Sequence, residues 1–365
     1  MDVLIFIVIL VALVLIHEFG HFAAAKLFGI RVDSFNIGFP PRLFKIQRGE
    51  TLYSFNLLLI GGYVQIHGEN PEDGAGDPRA LSSRSRWVQA LVIIAGVAVN
   101  ALAAWLLLSA GYMAGLPTAV DHQGLGSVQD AHPMVVGILP GSPAEKVGLA
   151  AGDIVESIQT GNRVTLDAFS TSSAAVRAFI GAHADESLAV VVRRDGEDKP
   201  FVVMAAAGLA PDPNRKVVGV ELDDVGTLKL SPPLALWQGG ILAENIFVQT
   251  AQGLGGFAAS LVQGSANLNQ VSGPIGIVTL GGTAVKAGPS ALLVLVASIS
   301  MALALFNLIP IPGLDGGRLL ILAIEGVLRR PVPQKLVLWL TLGGMALLIV
   351  LMVVVSAHDI VKLVG

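Results

Sequence analysis

His17-Glu18-Phe19-Gly20-His21 sets two imidazoles four positions apart with a carboxylate beside the first. On a helix that spacing turns both rings to one face, where two nitrogens can bind one Zn²⁺. Glu18 then stands next to them, placed to take a proton from a metal-bound water. The plain alternative is an accidental match, or two histidines packed against other helices. It is disfavoured because the three residues interrupt an apolar run, where each ionisable group costs roughly 3 kcal/mol to insert. The chain has no cysteine, so thiolate sites and disulfides are excluded and any metal must be held by His and carboxylates.

A catalytic zinc takes three protein ligands and keeps a fourth position open. Asp315 is the candidate for the third, in Asn307-Leu308-Ile309-Pro310-Ile311-Pro312-Gly313-Leu314-Asp315-Gly316-Gly317-Arg318. Depth agrees: His17 lies about 20 Å along a helix entering from outside, and Asp315 follows the inward end of a later apolar run. Pro310 and Pro312 are expected to break that helix and to free backbone groups for a substrate or a partner strand. A Gly-rich turn with Asp315 merely solvated is the alternative. The segment alone leaves the two level, and the zinc's need for a third ligand separates them.

Several elements must position these groups. With 53% hydrophobic and 14% charged residues, the chain falls well short of the about 25% charge of soluble domains and belongs in a membrane. A net charge of −4 offers no basic face for nucleic acid, which is not an expected partner. Four apolar runs, 3–27, 88–116, 291–308 and 336–355, are each long enough to cross about 30 Å of hydrocarbon. The first is expected to stay as a span, because no basic stretch precedes it and polar residues interrupt it. Lys26 at the end of run one and Arg31, Arg42, Lys45, Arg48, Arg79, Arg84 and Arg86 mark the connection between runs one and two, and Arg318, Arg329, Arg330 and Lys335 lie between three and four. Both connections are therefore expected in the cytoplasm. Both termini and residues 117–289 then face the other side, the periplasm in a bacterium with two membranes.

Between the first two runs, Thr51 to Leu57 alternates in a strand-like way and ends in Gly61-Gly62, which predicts a small β-element near or dipping into the membrane. Residues 69–85, rich in Pro, Gly, Asp and Ser, read as a mobile loop. Residues 131–208 show a globular α+β pattern: a strand at 135–139, a short helix at 142–147, a helix near 166–180, and a hairpin of 188–194 and 201–204 turning at Asp195-Gly196. Residues 232–265 read as an amphipathic helix suited to the membrane surface, with Trp237, Leu242, Ile246 and Leu254 among its apolar side chains.

Taken in order, these features resemble the bacterial site-2 proteases of the regulator-of-sigma-E (RseP) type. The resemblance runs through HEFGH, Gly61-Gly62-Tyr63-Val64, Gly68-Glu69, a PDZ-like module with Gly141-Ser142-Pro143-Ala144, Ser272-Gly273-Pro274-Ile275-Gly276, and the segment ending in Leu314-Asp315-Gly316-Gly317. HExxH is shared by many metalloproteases, whereas its pairing with LDG after a late span is specific. The resemblance implies a polytopic α-helical membrane protein of about four transmembrane helices, with a membrane-associated β-element and one extracytoplasmic PDZ-like α+β domain. It implies one zinc held by His17, His21 and Asp315, Glu18 as catalytic base, and Asn307, Pro310, Pro312, Gly61 and Gly62 as substrate-handling residues. The implied division is 1–116 and 289–365 for the membrane parts, 128–210 for the PDZ-like domain, and 211–288 after it. The implied activity is intramembrane endopeptidase cleavage of single-span proteins, such as anti-sigma factors and signal-peptide remnants, in a bacterial inner membrane. Val97 stands where family members often carry proline, in Ala95-Gly96-Val97-Ala98-Val99-Asn100, and one PDZ-like pattern stands where the enterobacterial member has two. Rival readings are a membrane metalloprotease of the HtpX or CAAX-protease type, whose third ligand is a downstream Glu, and a non-enzymatic adaptor with a degenerate site.

Overall fold

The structure, a computed structural model, describes residues 2–69, 76–121, 124, 126–194, 196–209, 215–265 and 273–364. Asp195, Ser272 and residues 70–75 of the expected loop lie outside them. The chain divides into two compact units, one of residues 1–108 with 239–365, the other of residues 109–238.

Among the described residues four helices are long and apolar enough to cross a membrane: Val3–Leu27, Arg86–Ala114, Pro289–Leu308 and Gln334–Val361. They belong to α1 (Asp2–Leu27), α2 (Arg86–Ala114), α7 (Pro289–Leu308) and α9 (Gln334–Val364). α2 passes through Val97 without interruption, so the missing proline costs the helix nothing. Two helices were not foreseen, α6 (Pro274–Ala287) and α8 (Asp315–Leu328). At 14 residues each they extend about 21 Å, too short to give the span signal by which the others were found. The buried Asp359 carboxylate of α9 accepts the Gly276 N–H at 2.8 Å, satisfying a free donor in the first turn of α6.

The β-element is larger than expected. β1 (Val32–Arg48) and β2 (Thr51–Ile66) form an antiparallel pair turning at Gly49-Glu50, and β2 runs through Gly61-Gly62 where the pattern had suggested its end. Each of Ser34 to Ile37 pairs twice, with Leu52 to Phe55 along one side and with Gln65 to Gly62 along the other. This stretch of β1 therefore lies between two stretches of β2, and the second of them faces α1. Gly62 permits that approach, since a Cβ there would come within 2.7 Å of the Leu15 side chain and 2.8 Å of the Asn36 carbonyl. Inside the sheet the buried polar groups are paired: Asn36 donates to Ser34 Oγ (2.7 Å), Ser54 to Asn36 Oδ1 (2.6 Å) and Asn56 to the Gly38 carbonyl (2.8 Å). The other end of the presumed mobile loop is in fact docked. Ala80 and Leu81 are buried, and the N–H groups of Leu81 and Ser82 bond the His67 and Gly68 carbonyls. Contacts of 3.2 Å from the two His67 ring nitrogens to the Asp33 and Asp77 carboxylates, and an ion pair from Arg79 to Glu50, hold the same region. Desolvation pushes the Glu50 carboxyl up, but Lys26 and Arg79 outweigh it and hold the group below its ordinary value.

In the second unit one sheet runs in the order β3-β9-β4-β5-β7-β8, with β6 beside β5. The strands are β3 (Leu116–Ala119), β4 (Gln129–Ile138), β5 (Ile154–Thr160), β6 (Thr165–Asp167), β7 (Ser187–Arg194), β8 (Glu197–Met204) and β9 (Val220–Leu228). Two short helices accompany them, α3 (Pro143–Val147) and α4 (Ser173–Ala182). α4 starts seven residues later than the pattern suggested because Leu166 belongs to β6 and the Ser172 side chain caps the helix by accepting from the Ala175 N–H. The core gathers Val135, Val155, Ile158, Val176, Leu188, Val192 and Leu222. Asp153, 1% exposed, is held by Arg194 Nε at 2.6 Å, so its burial is compensated. α5 (Pro232–Val262) is continuous over the segment read as an amphipathic helix.

Candidate metal centre

His17 and His21 arise from one face of α1, one helical turn apart, because 3.6 residues complete a turn. Asp315 opens α8 after a break that begins when α7 stops at Leu308. Pro310 and Pro312 stand in that break: residues 309–314 are non-helical, and the Leu314 N–H bonds the Ile311 carbonyl instead of extending a helix. α8 then turns back closely enough for Gly316 to lie against the Leu308 and Ile309 carbonyls.

The result is a three-donor cluster. His17 Nε2 lies 3.1 Å from His21 Nε2 and 3.1 Å from Asp315 Oδ2, and His21 Nε2 lies 3.2 Å from the same oxygen. A tetrahedral ion with bonds of about 2.0–2.1 Å sets its ligands about 3.3 Å apart, so the triangle has the size zinc requires. Both histidines are 7% exposed. Three such donors converging in an apolar setting would be costly without a shared ligand. Among the described residues no other group of three or more His and carboxylate donors comes together in this way.

The cluster borders a cavity of about 320 Å³ lined by Glu18, Val64, Asn100, Leu303, Asn307 and Asp315 among others. Glu18 reaches it from α1, and its Oε2 accepts the Val64 N–H of β2 at 2.9 Å. The inner stretch of β2 is thereby tied to the site. Asn307 lines the cavity while donating to the Leu303 carbonyl at 2.9 Å. Pro310, Pro312, Gly61 and Gly62 are not among the cavity-lining residues. The prolines shape the break that presents Asp315, Gly62 lets β2 approach α1, and Gly61 takes a φ of 147° that L side chains rarely adopt.

α2 supplies contacts that the sequence reading did not assign. The Val92 carbonyl lies 2.9 Å from His21 Nδ1, and Asn100 Nδ2 lies 3.4 Å from His17 Nδ1. Between them Gly96 must lack a side chain, because a Cβ there would collide with both imidazoles. The available signal was a polar Asn100 one helical turn after Gly96 in an otherwise apolar span.

Comparison with known proteins agrees with this site. The family model described as Peptidase family M50 matches residues 5–351. A protein of Synechocystis sp. named "Putative zinc metalloprotease" is 34% identical over 358 residues, covering 97% of this chain and 93% of that one. One of the same name from Clostridium perfringens is 33% identical, with 96% of each chain covered. Another, from Fusobacterium nucleatum, is 28% identical over 100% of this chain and 99% of that one. With a zinc-sized triangle of donors beside four helices able to cross a membrane, and a family match over nearly its whole length, the chain belongs to peptidase family M50 and is a membrane zinc metalloprotease.

Proposed function

We propose that this protein is an intramembrane endopeptidase that cuts the transmembrane segments of single-span proteins, with His17, His21 and Asp315 as zinc ligands and Glu18 as general base. The observation that carries the reading is the location of the donors. Two lie well inside a helix that can cross a membrane, and the third follows directly on another. When bound, zinc lowers the pKa of a water and polarises the scissile carbonyl. Glu18, steadied by the Val64 N–H, takes the attacking water's proton and returns it to the leaving amine. A transmembrane helix withholds its peptide groups in internal hydrogen bonds, so the substrate must unwind first. The stretch of β2 beside Glu18 offers a strand edge for the opened segment, and Asn307 faces it across the cavity. The exposed Phe44, Ile46, Leu57 and Leu58 suit a hairpin that rests in the membrane.

The residue in the third position speaks against the HtpX or CAAX-type reading, which requires a glutamate there. An adaptor would have no use for an intact Glu18 tied into the cavity. Residues 128–210 are read as a PDZ-like module, taken together with β9, whose Leu222 lies in the same core. β3 pairs with β9 only over Val225 to Leu228, and a cavity of about 440 Å³ lies between β9 and α4. That geometry supports strand addition of a peptide, although Arg177 covers the Leu222 carbonyl at 2.6 Å. Anti-sigma factors and signal-peptide remnants are the proposed substrates, in a bacterial inner membrane with the module in the periplasm and the zinc toward the cytoplasm.

Two experiments test this reading. A cysteine placed at the exposed Ser170 is expected to react with an impermeant thiol reagent in spheroplasts while one at the exposed Ser83 stays protected, since Lys and Arg cluster in the short connections. The reverse pattern overturns the orientation. In substrates matched for expression and insertion, replacing helix-breaking residues of the span with Leu is expected to slow cleavage more than apolar swaps at the cut position. Rates that follow the cut residue and ignore helicity rule out the unwinding step.

A further inference from the structure

We propose that Asn100 is a positioning residue for His17, its carboxamide oxygen accepting the Nδ1 proton so that Nε2 turns its lone pair toward the point shared with His21 and Asp315. This rests on the metal reading above and adds to it a determinant on a different helix.

A neutral imidazole carries one proton, and the nitrogen that keeps it cannot ligate. For His21 the choice is made by backbone: the Val92 carbonyl accepts from Nδ1 at 2.9 Å and leaves Nε2 free. Among the described residues His17 has no such carbonyl, and the group facing its Nδ1 is the Asn100 side chain at 3.4 Å. Asn100 is fully buried, yet its Oδ1 has no hydrogen-bond partner among the described residues. A buried acceptor left unpaired is costly and calls for a reason.

The two anomalies answer each other. A carboxamide donates from one end and accepts at the other, and a half-turn about its Cβ–Cγ bond exchanges them. With Nδ2 toward the ring, Nδ1 accepts and the proton sits on Nε2, which blocks that donor. With Oδ1 toward the ring, the orphaned acceptor gains the Nδ1 proton and Nε2 is released, while Nδ2 takes the place Oδ1 held in the wall of the cavity. The helix is built to hold this contact. Val92, Gly96 and Asn100 follow at four-residue steps on one face of α2, contributing a carbonyl acceptor, space for both rings and a carboxamide that becomes a second acceptor once turned. The buried Ser300 of α7 donates to the Asn100 carbonyl at 2.8 Å and fixes that turn of α2 against the helix leading to Asp315.

The test is zinc affinity of the full chain in detergent, by competition with a chromophoric chelator, with circular dichroism as the folding control. Asn100→Ala is expected to weaken zinc about 10–100-fold, the usual cost of losing such an outer partner. Asn100→Asp, which accepts and cannot donate, is expected to bind at or above the wild-type affinity. Wild-type affinity in Asn100→Ala, or equal losses in Ala and Asp, overturns the proposal. Should alanine fail to fold, the Asp variant decides alone: a loss of about tenfold or more overturns it. His17→Ala is measured alongside. If it too keeps full affinity, the metal reading itself has failed and the positioning role falls with it, whereas loss in His17→Ala with no loss in Asn100→Ala removes the positioning role alone.

Discussion

Alanine at Asp315 or at His17 is expected to strip zinc from the purified chain while leaving its helices intact. Each substitution removes one of three donors that lie 3.1–3.2 Å apart, and two donors do not make the closed face a catalytic zinc needs. The loss should exceed the 10–100-fold typical of an outer partner, and cleavage should fall below detection. The fold should survive, because α1 is held by packing such as Phe6 against α6 and Ala24 and Ala25 in the core beneath the hairpin. Removing converged donors from an apolar setting also relieves a desolvation cost. Metal analysis by mass spectrometry, with circular dichroism alongside, checks both halves. Unchanged zinc content in Asp315→Ala would take Asp315 out of the ligand set.

Glu18→Gln is expected to lower the cleavage rate about 10²–10⁴-fold, the range contributed by a positioned general base. Zinc content should not change, because Glu18 is absent from the donor triangle. The amide can still meet the Val64 N–H through its oxygen, so the inner stretch of β2 should stay in place. Substrate binding should therefore persist. Single-turnover cleavage and metal content of the same preparation separate this outcome from simple loss of the metal.

How much of this was legible depended on how local each signal is. HExxH is contained in one helical turn, and the four spans are runs of composition, so both could be read directly. Asp315 is 298 positions from His17, and was reached through the metal's need for a third ligand, its matching depth and the resemblance that pairs HExxH with LDG after a late span. β1 escaped notice because Pro40 and Pro41 interrupt it, cutting the alternation of Phe35, Ile37 and Phe39 short of that of Phe44 and Ile46. The double pairing of Ser34 to Ile37 could not be foreseen, since register is fixed by partners along two stretches of β2. β9 carries Glu221, Asp223 and Asp224, which hid a strand whose neighbours β3 and β4 come from far earlier in the chain. The docking of Leu81 was masked in the same way by its Gly- and Ser-rich surroundings. Asn100 could be seen as a polar residue in a span, but its bearing on His17 appears only when α1 and α2 are brought together.

The central claim is that the zinc site cuts a peptide bond inside a transmembrane segment. The most direct measurement is mass-spectrometric mapping of the new termini when the purified full chain, reconstituted in bilayers, cleaves a single-span substrate, with Glu18→Gln as the control. The account predicts termini within the substrate's apolar run, formed by the wild-type chain and not by the control. Termini confined to the soluble flanks, or the same products from Glu18→Gln, would contradict it.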